Sequence, residues 1–140
     1  MKKYMLFTWI LLVTTYIYSQ QNYDERLLAR YTTSQLQKMA KETPGHLEWL
    51  NYKVANMYKI IDRNTIKGIV KDTLKGIDMK TKKPYHISIK DINLDNFNPL
   101  RYNIAFDKQQ HYYYIPQSNK VVYIRPSVEV IKEFNKKYRK

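Results

Sequence analysis

The sequence predicts an α+β fold, with an N-terminal helical hairpin, an antiparallel sheet of about 4 strands and a C-terminal helix. Three observations carry this expectation. Apolar residues recur at helical spacing between residues 32 and 61, two β-rich runs sit close together at 112–115 and 121–124, and an amphipathic stretch follows Ser127.

The first 19 residues read as a leader rather than as part of the fold. Lys2 and Lys3 form a positive start, Met5 to Val13 is apolar apart from Thr8, and Ser19 offers a small residue at the expected cleavage position. A bilayer span needs about 20 mainly apolar residues, and this stretch ends well short of that. The expected protein is therefore exported to the periplasm or beyond the cell, with residues 20–140 forming a single small domain.

Within that domain, Thr32, Thr33 and Ser34 supply capping side chains ahead of Leu36, Met39 and Ala40, which share one helical face. This helix is expected to end near Thr43. A second helix should then start with Thr43 as cap and Pro44 in the first turn, and carry a stripe of Leu47, Leu50, Val54, Met57, Tyr58 and Ile61. Trp49 and Tyr52 flank that stripe.

Residues 64–77 fit two readings. Ile66, Ile69, Val70, Leu74 and Ile77 suit a helix, but Gly68, Gly76 and the β-branched residues suit strands. On a helix Arg63, Lys67, Lys71 and Lys75 would also stack like charges four apart, so extended structure is favoured. From Tyr85 the pattern becomes strand-like through Ile87, Ile89 and Ile92, and again through Tyr102, Ile104 and Phe106. The best hairpin joins Tyr112–Ile115 to Val121–Ile124 across Pro116–Lys120. If Ile115 pairs with Lys120, then Tyr113 faces Val122, while Tyr112, Tyr114, Val121 and Tyr123 share the other side. Ser127 should cap the closing helix, whose apolar stripe is Val130, Ile131, Phe134 and Tyr138. Lys136, Lys137, Arg139 and Lys140 suit its carbonyl end.

The composition narrows the chemistry. There is no cysteine, which excludes disulfides, thiol catalysis and lipoprotein anchoring, and leaves packing and hydrogen bonds to supply all cohesion. The full chain has a formal charge of +13, and without Lys2 and Lys3 about +11 remains. Such a surface favours anionic partners. A/T-rich coding bias toward Lys, Ile, Asn and Tyr offers a plainer origin, and the excess of Lys over Arg supports it.

Motifs for catalysis, metals and cofactors are absent at the sequence level. Ser34, Ser88, Ser118 and Ser127 lie outside any Gly-x-Ser-x-Gly turn, and His46, His86 and His111 stand in separate segments without a zinc motif. Asp91, Asn93, Asp95 and Asn96 resemble a calcium loop in composition, but they lack its glycine and terminal glutamate. Asp91 with Asp95 or Asp107 is the only carboxylate grouping of interest. No catalytic residue, metal or cofactor is expected.

The expected role is thus a non-catalytic binding or accessory protein of the cell envelope. Tyr112, Tyr114, Tyr123 and Arg125 are the expected contacts for an envelope protein. An alternative is binding of an anionic envelope polymer or lipid through Lys67, Lys71, Lys75, Lys80, Lys82 and Lys83. Export disfavours nucleic acid. The leader is tested by the intact mass of the native polypeptide recovered from outside the cytoplasm, which should begin at Gln20. A cytosolic chain still carrying Met1 would overturn both the location and the partner classes.

Overall fold

The computed structural model describes residues 22–67, 74–78, 80–88 and 91–139. The expected leader and residues 68–73 of the doubtful 64–77 stretch, Lys71 among them, lie outside the described residues.

Asp24 caps a 3-10 turn, Glu25–Ala29, with its carboxylate accepting from the Arg26 backbone N–H at 2.9 Å. Helix α1, Thr33–Glu42, opens with a capping box in which Thr32 and Gln35 each accept from the other's backbone N–H. Helix α2, Pro44–Asn56, starts directly after it with proline in its first turn. Thr43 does not cap α2 as expected, because its hydroxyl points back to the Met39 carbonyl at 3.5 Å.

Helix α2 is shorter than the stripe predicts. It stops at Asn56, and Tyr58–Asp62 becomes strand β1. The cause is tertiary: β1 pairs antiparallel along all of strand β5, Lys120–Ile124, from Tyr58 opposite Ile124 to Asp62 opposite Lys120. Ile60 and Ile61 are β-branched and suit that ladder. An Asp62–Lys120 ion pair at 2.7 Å closes its far end.

Strand β2, Lys75–Ile77, and strand β3, Pro84–His86, form a separate two-stranded ribbon. Strand β4, His111–Ile115, pairs with β5 and completes a three-stranded sheet in the order β1-β5-β4. The expected register holds: Ile115 lies opposite Lys120 and Tyr113 opposite Val122. Asn119 takes the left-handed conformation at φ 51 that turns the chain, a conformation asparagine tolerates well.

The strand expected over Tyr102, Ile104 and Phe106 does not form. Tyr102 makes an isolated bridge to Gly76, and the Asn103 N–H donates to the Lys75 carbonyl at 2.6 Å before the chain turns away. The alternation there records burial: Tyr102 is buried, and Ile104 and Phe106 pack on the sheet's core. The same holds for Ile87 and Ile92, which pack on that core beyond the end of β3, while Ile89 lies outside the described residues.

Helix α3, Ser127–Tyr138, begins with Ser127 already helical and Pro126 before it, so Ser127 is not the cap. Its N–H donates to the Asp107 carbonyl at 2.6 Å. Rings fasten α3 to α2: Phe134 meets Trp49 edge-on at 5.2 Å and Tyr52 at 5.4 Å, and Tyr138 meets Tyr52 at 5.9 Å. Trp49 and Tyr52, expected to flank the α2 stripe, thus bind its neighbour. Among the described residues no helix is long and apolar enough to cross a membrane.

Two apolar clusters result. Leu27, Leu36, Leu47, Leu50 and Val54 form the helical one; Leu74, Phe97, Tyr102, Tyr113, Ile115, Val122 and Ile124 form the sheet's. A polar chain joins them. Arg26 forms an ion pair with Asp24 at 2.6 Å and donates to the Tyr58 hydroxyl at 3.2 Å, which in turn donates to the Phe97 carbonyl at 2.9 Å. Buried Asn98 donates to the Arg26 carbonyl at 3.0 Å. Tyr58→Phe removes the middle of this chain and leaves a donor and an acceptor unmatched. It should lower unfolding free energy by about 1–3 kcal/mol in urea titration, and a loss below about 0.5 kcal/mol would show the junction to be incidental.

Candidate functional site

The tyrosine face of the β4–β5 hairpin is half-buried rather than open. Tyr112, Tyr114 and Tyr123 are each partly covered, Val121 among them is fully buried, and Tyr112 stacks on Tyr123 with ring centres 5.1 Å apart. The Tyr114 hydroxyl lies 3.4 Å from Asn119 Oδ1. Burial raises the Tyr123 phenol pKa, with the Glu129 charge adding to it. This surface offers three tyrosine rings, with exposed Lys59 of β1 opposite Tyr123 in the ladder.

Arg125, the fourth residue of that expected contact, faces inward to the fold. Its guanidinium forks onto Glu133 at 2.5 and 3.1 Å and reaches the Asn56 carbonyl at 3.2 Å, tying α3 to the end of α2. The fork holds the Glu133 carboxyl below its ordinary 4.5.

The histidines divide. His46 and His86 are exposed. His111 is not isolated, because its Nε2 lies 3.0 Å from Asp107 Oδ1, one helical turn's spacing away in sequence. That bond and the Gln109 N–H together lower the Asp107 pKa. Among the described residues no group of three or more His, Asp or Glu side chains gathers where a metal ion could sit. The Asp91–Asn96 stretch forms turns, with Asn93 Oδ1 accepting from the Asp95 N–H at 2.9 Å.

The Lys-rich stretch is displayed on the β2–β3 ribbon. Lys75, Lys80, Lys82 and Lys83 are exposed, and so is Lys67 before it. The connecting turn is held by Asp78, whose Oδ1 accepts from the Lys80 and Thr81 N–H groups at 2.8 and 3.1 Å. Those bonds lower the Asp78 pKa. None of these lysines closes an ion pair among the described residues.

A further arrangement was not foreseen. A partly open cleft of about 530 Å³ lies where α2, the end of the 3-10 turn, the 100–106 segment and the ribbon turn meet. Leu50, Val54, Met57, Leu100, Ile104 and Phe106 wall it, and Arg30, Lys53 and Lys82 are its charged members. Lys53 Nζ sits 4.8 Å over the Phe106 ring, and desolvation, followed by the Arg30 charge, pushes its pKa down. Sequence reasoning listed Lys82 but missed Arg30 and Lys53. The one signal was Lys53 itself, placed three residues after Leu50 and one before Val54, at the border of the apolar stripe.

Compared with protein-family models, curated proteins and solved structures, the chain finds no significant match.

The Arg125 fork yields a prediction with a defined pH dependence. Arg125→Met should cost about 1–2 kcal/mol at pH 7, because Glu133 is half-exposed and water screens part of the pairing. A depressed carboxylate pKa gives stability that is present above the ordinary 4.5 and lost as pH falls through the folded value. The gap between wild type and variant in urea unfolding should therefore shrink in acid. A gap independent of pH would mean the loss comes from packing alone.

Proposed function

We propose that this chain is an exported, non-catalytic binding protein of the cell envelope that engages an anionic polymer or lipid surface through its lysine ribbon. One observation carries the reading: Lys75, Lys80, Lys82 and Lys83 project together from a two-stranded ribbon, free of ion pairs among the described residues. Several carboxylates elsewhere are engaged by other cations. Asp24 serves Arg26, Glu42 meets Lys38, Asp62 holds Lys120, and Glu129 and Glu133 face Arg125. Asp78, the acid nearest the ribbon's tip, has an oxygen committed to backbone N–H groups.

The chemistry needed is modest. An ammonium is a compact, hydrated charge that needs no fixed geometry to attract phosphate or carboxylate groups on a polymer or membrane. Each lysine near an anionic lipid surface contributes about 1 kcal/mol. Several on one short ribbon give binding that is useful and reversible.

A second reading keeps a protein partner on Tyr112, Tyr114 and Tyr123, supported by the half-exposed Tyr112–Tyr123 stack. One experiment separates the two. Vesicles of phosphatidylglycerol and phosphatidylcholine are sedimented with wild type, with a Lys75→Gln, Lys80→Gln, Lys83→Gln triple variant, and with a Tyr112→Ala, Tyr114→Ala double variant. At about 1 kcal/mol per lysine, the triple variant should bind roughly 100-fold more weakly at low salt. Wild-type binding should also collapse as salt rises from about 0.1 to about 1 M, where screening shortens from about 10 to about 3 Å. The tyrosine variant should bind vesicles as wild type does. A salt-insensitive interaction, or one lost only in the tyrosine variant, would transfer the function to the hairpin.

A further inference from the structure

The cleft under the ribbon turn carries an unusual electrostatic arrangement. A half-buried ammonium is normally offset by a carboxylate, because taking its charge out of water is costly. Lys53 has no such partner among the described residues. It lies over the Phe106 ring, with Arg30 close enough to oppose its charge. Its place in the last turn of α2 offsets part of the cost through the helix dipole. Lys82 adds a third cation from the opposite side, in a turn where it holds φ 58. No carboxylate is among the residues lining the cleft.

Around these cations the wall is aliphatic and aromatic. Val54 and Met57 are buried beneath it, while Ile104 and Phe106 present half-covered surfaces. Three cations on an apolar cleft complement one kind of small molecule, an anion with a hydrocarbon tail. The volume, about 530 Å³, lies within the range of small-molecule sites and suits one chain.

We propose that this cleft binds a single-chain fatty acid, with its carboxylate among Lys53, Arg30 and Lys82 and its chain along Val54, Met57, Ile104 and Phe106. The carboxylate supplies the counter-charge that Lys53 lacks, and the chain covers the half-exposed surfaces of Ile104 and Phe106. Arg30 is held for this by its Nε bond to the Leu100 carbonyl at 2.8 Å, which leaves its terminal nitrogens to turn toward an anion. The site shares Lys82 with the ribbon surface proposed above but needs none of Lys75, Lys80 or Lys83.

The test is calorimetric titration of the 140-residue chain, using laurate below its micelle concentration, dodecanol and acetate. Laurate should saturate at one per chain, dodecanol should bind at least about tenfold more weakly, and acetate should not saturate. Lys53→Met keeps the packing of the stem and removes the charge. It should weaken laurate by about tenfold or more, leave dodecanol unchanged and melt no lower than wild type, since it removes a poorly solvated cation. Should that variant fail to fold, Lys82→Gln, at an exposed position, should weaken laurate by about threefold without affecting dodecanol. The Lys75, Lys80, Lys83 triple variant should bind laurate normally. The proposal is overturned by absence of laurate saturation, by equal binding of laurate and dodecanol, by unchanged laurate affinity in the folded Lys53 or Lys82 variant, or by its loss in the triple variant.

Discussion

The fold depends on a polar chain that crosses the boundary between two small apolar clusters. Each cluster alone is modest, and with no cysteine in the sequence no covalent staple joins them. Arg26, Tyr58 and Asn98 do so instead, through side-chain hydrogen bonds spanning 32, 39 and 72 residues of sequence. Such bonds have small net value when both states are hydrated, but removing one partner in a part-buried setting leaves the other unmatched. The junction therefore resists partial opening more strongly than the count of bonds suggests. It also holds Tyr58, the first residue of β1, against the Phe97 carbonyl just beyond the end of α2.

That constraint explains why some elements were legible in the sequence and others were not. The hairpin register could be read because the Pro116–Asn119 loop is short and two β-rich runs flank it directly, so local geometry settles the pairing. The capping box at Thr32 and Gln35 is equally local. Strand β1 is the reverse case. Tyr58 and Ile61 continue the helical stripe of α2 at suitable spacing, and only the free edge of β5, about 60 residues away, converts the segment to a strand. Tyr102 to Phe106 failed for a related reason: alternation reports which side chains are buried, and a ladder additionally needs an edge long enough to pair with.

The functional surfaces follow the same division. The lysine ribbon was visible because its charges are close in sequence, and the short 78–83 connection between its strands keeps them close in space. The tyrosines were visible for the same reason, but the stack between Tyr112 and Tyr123 and the inward turn of Arg125 required the packed structure. The cleft was invisible because it is made from four separated segments, each unremarkable alone. A lysine beside an apolar stripe is common on helices, where its stem packs and its ammonium reaches water. What sets Lys53 apart is Phe106 beneath its ammonium and Arg30 beside it, and neither is near it in sequence.

The distribution of the carboxylates gives the basic surfaces their meaning. A chain with 25 basic and 12 acidic side chains must leave cations unpaired somewhere, so an excess alone is uninformative. Here the pairs fall at structural joints: the capped turn at Asp24, the end of β1 at Asp62 and the α3 tether at Glu133. Among the described residues, the cations of the ribbon and of the cleft below it are among those without an ion pair. Lys82 belongs to both, being exposed on the ribbon turn and part of the cleft wall. Under the two proposals a polyanion on the ribbon and a carboxylate in the cleft would draw on that one charge. Their binding energies would then be linked, and by thermodynamic reciprocity each would weaken the other by the same factor.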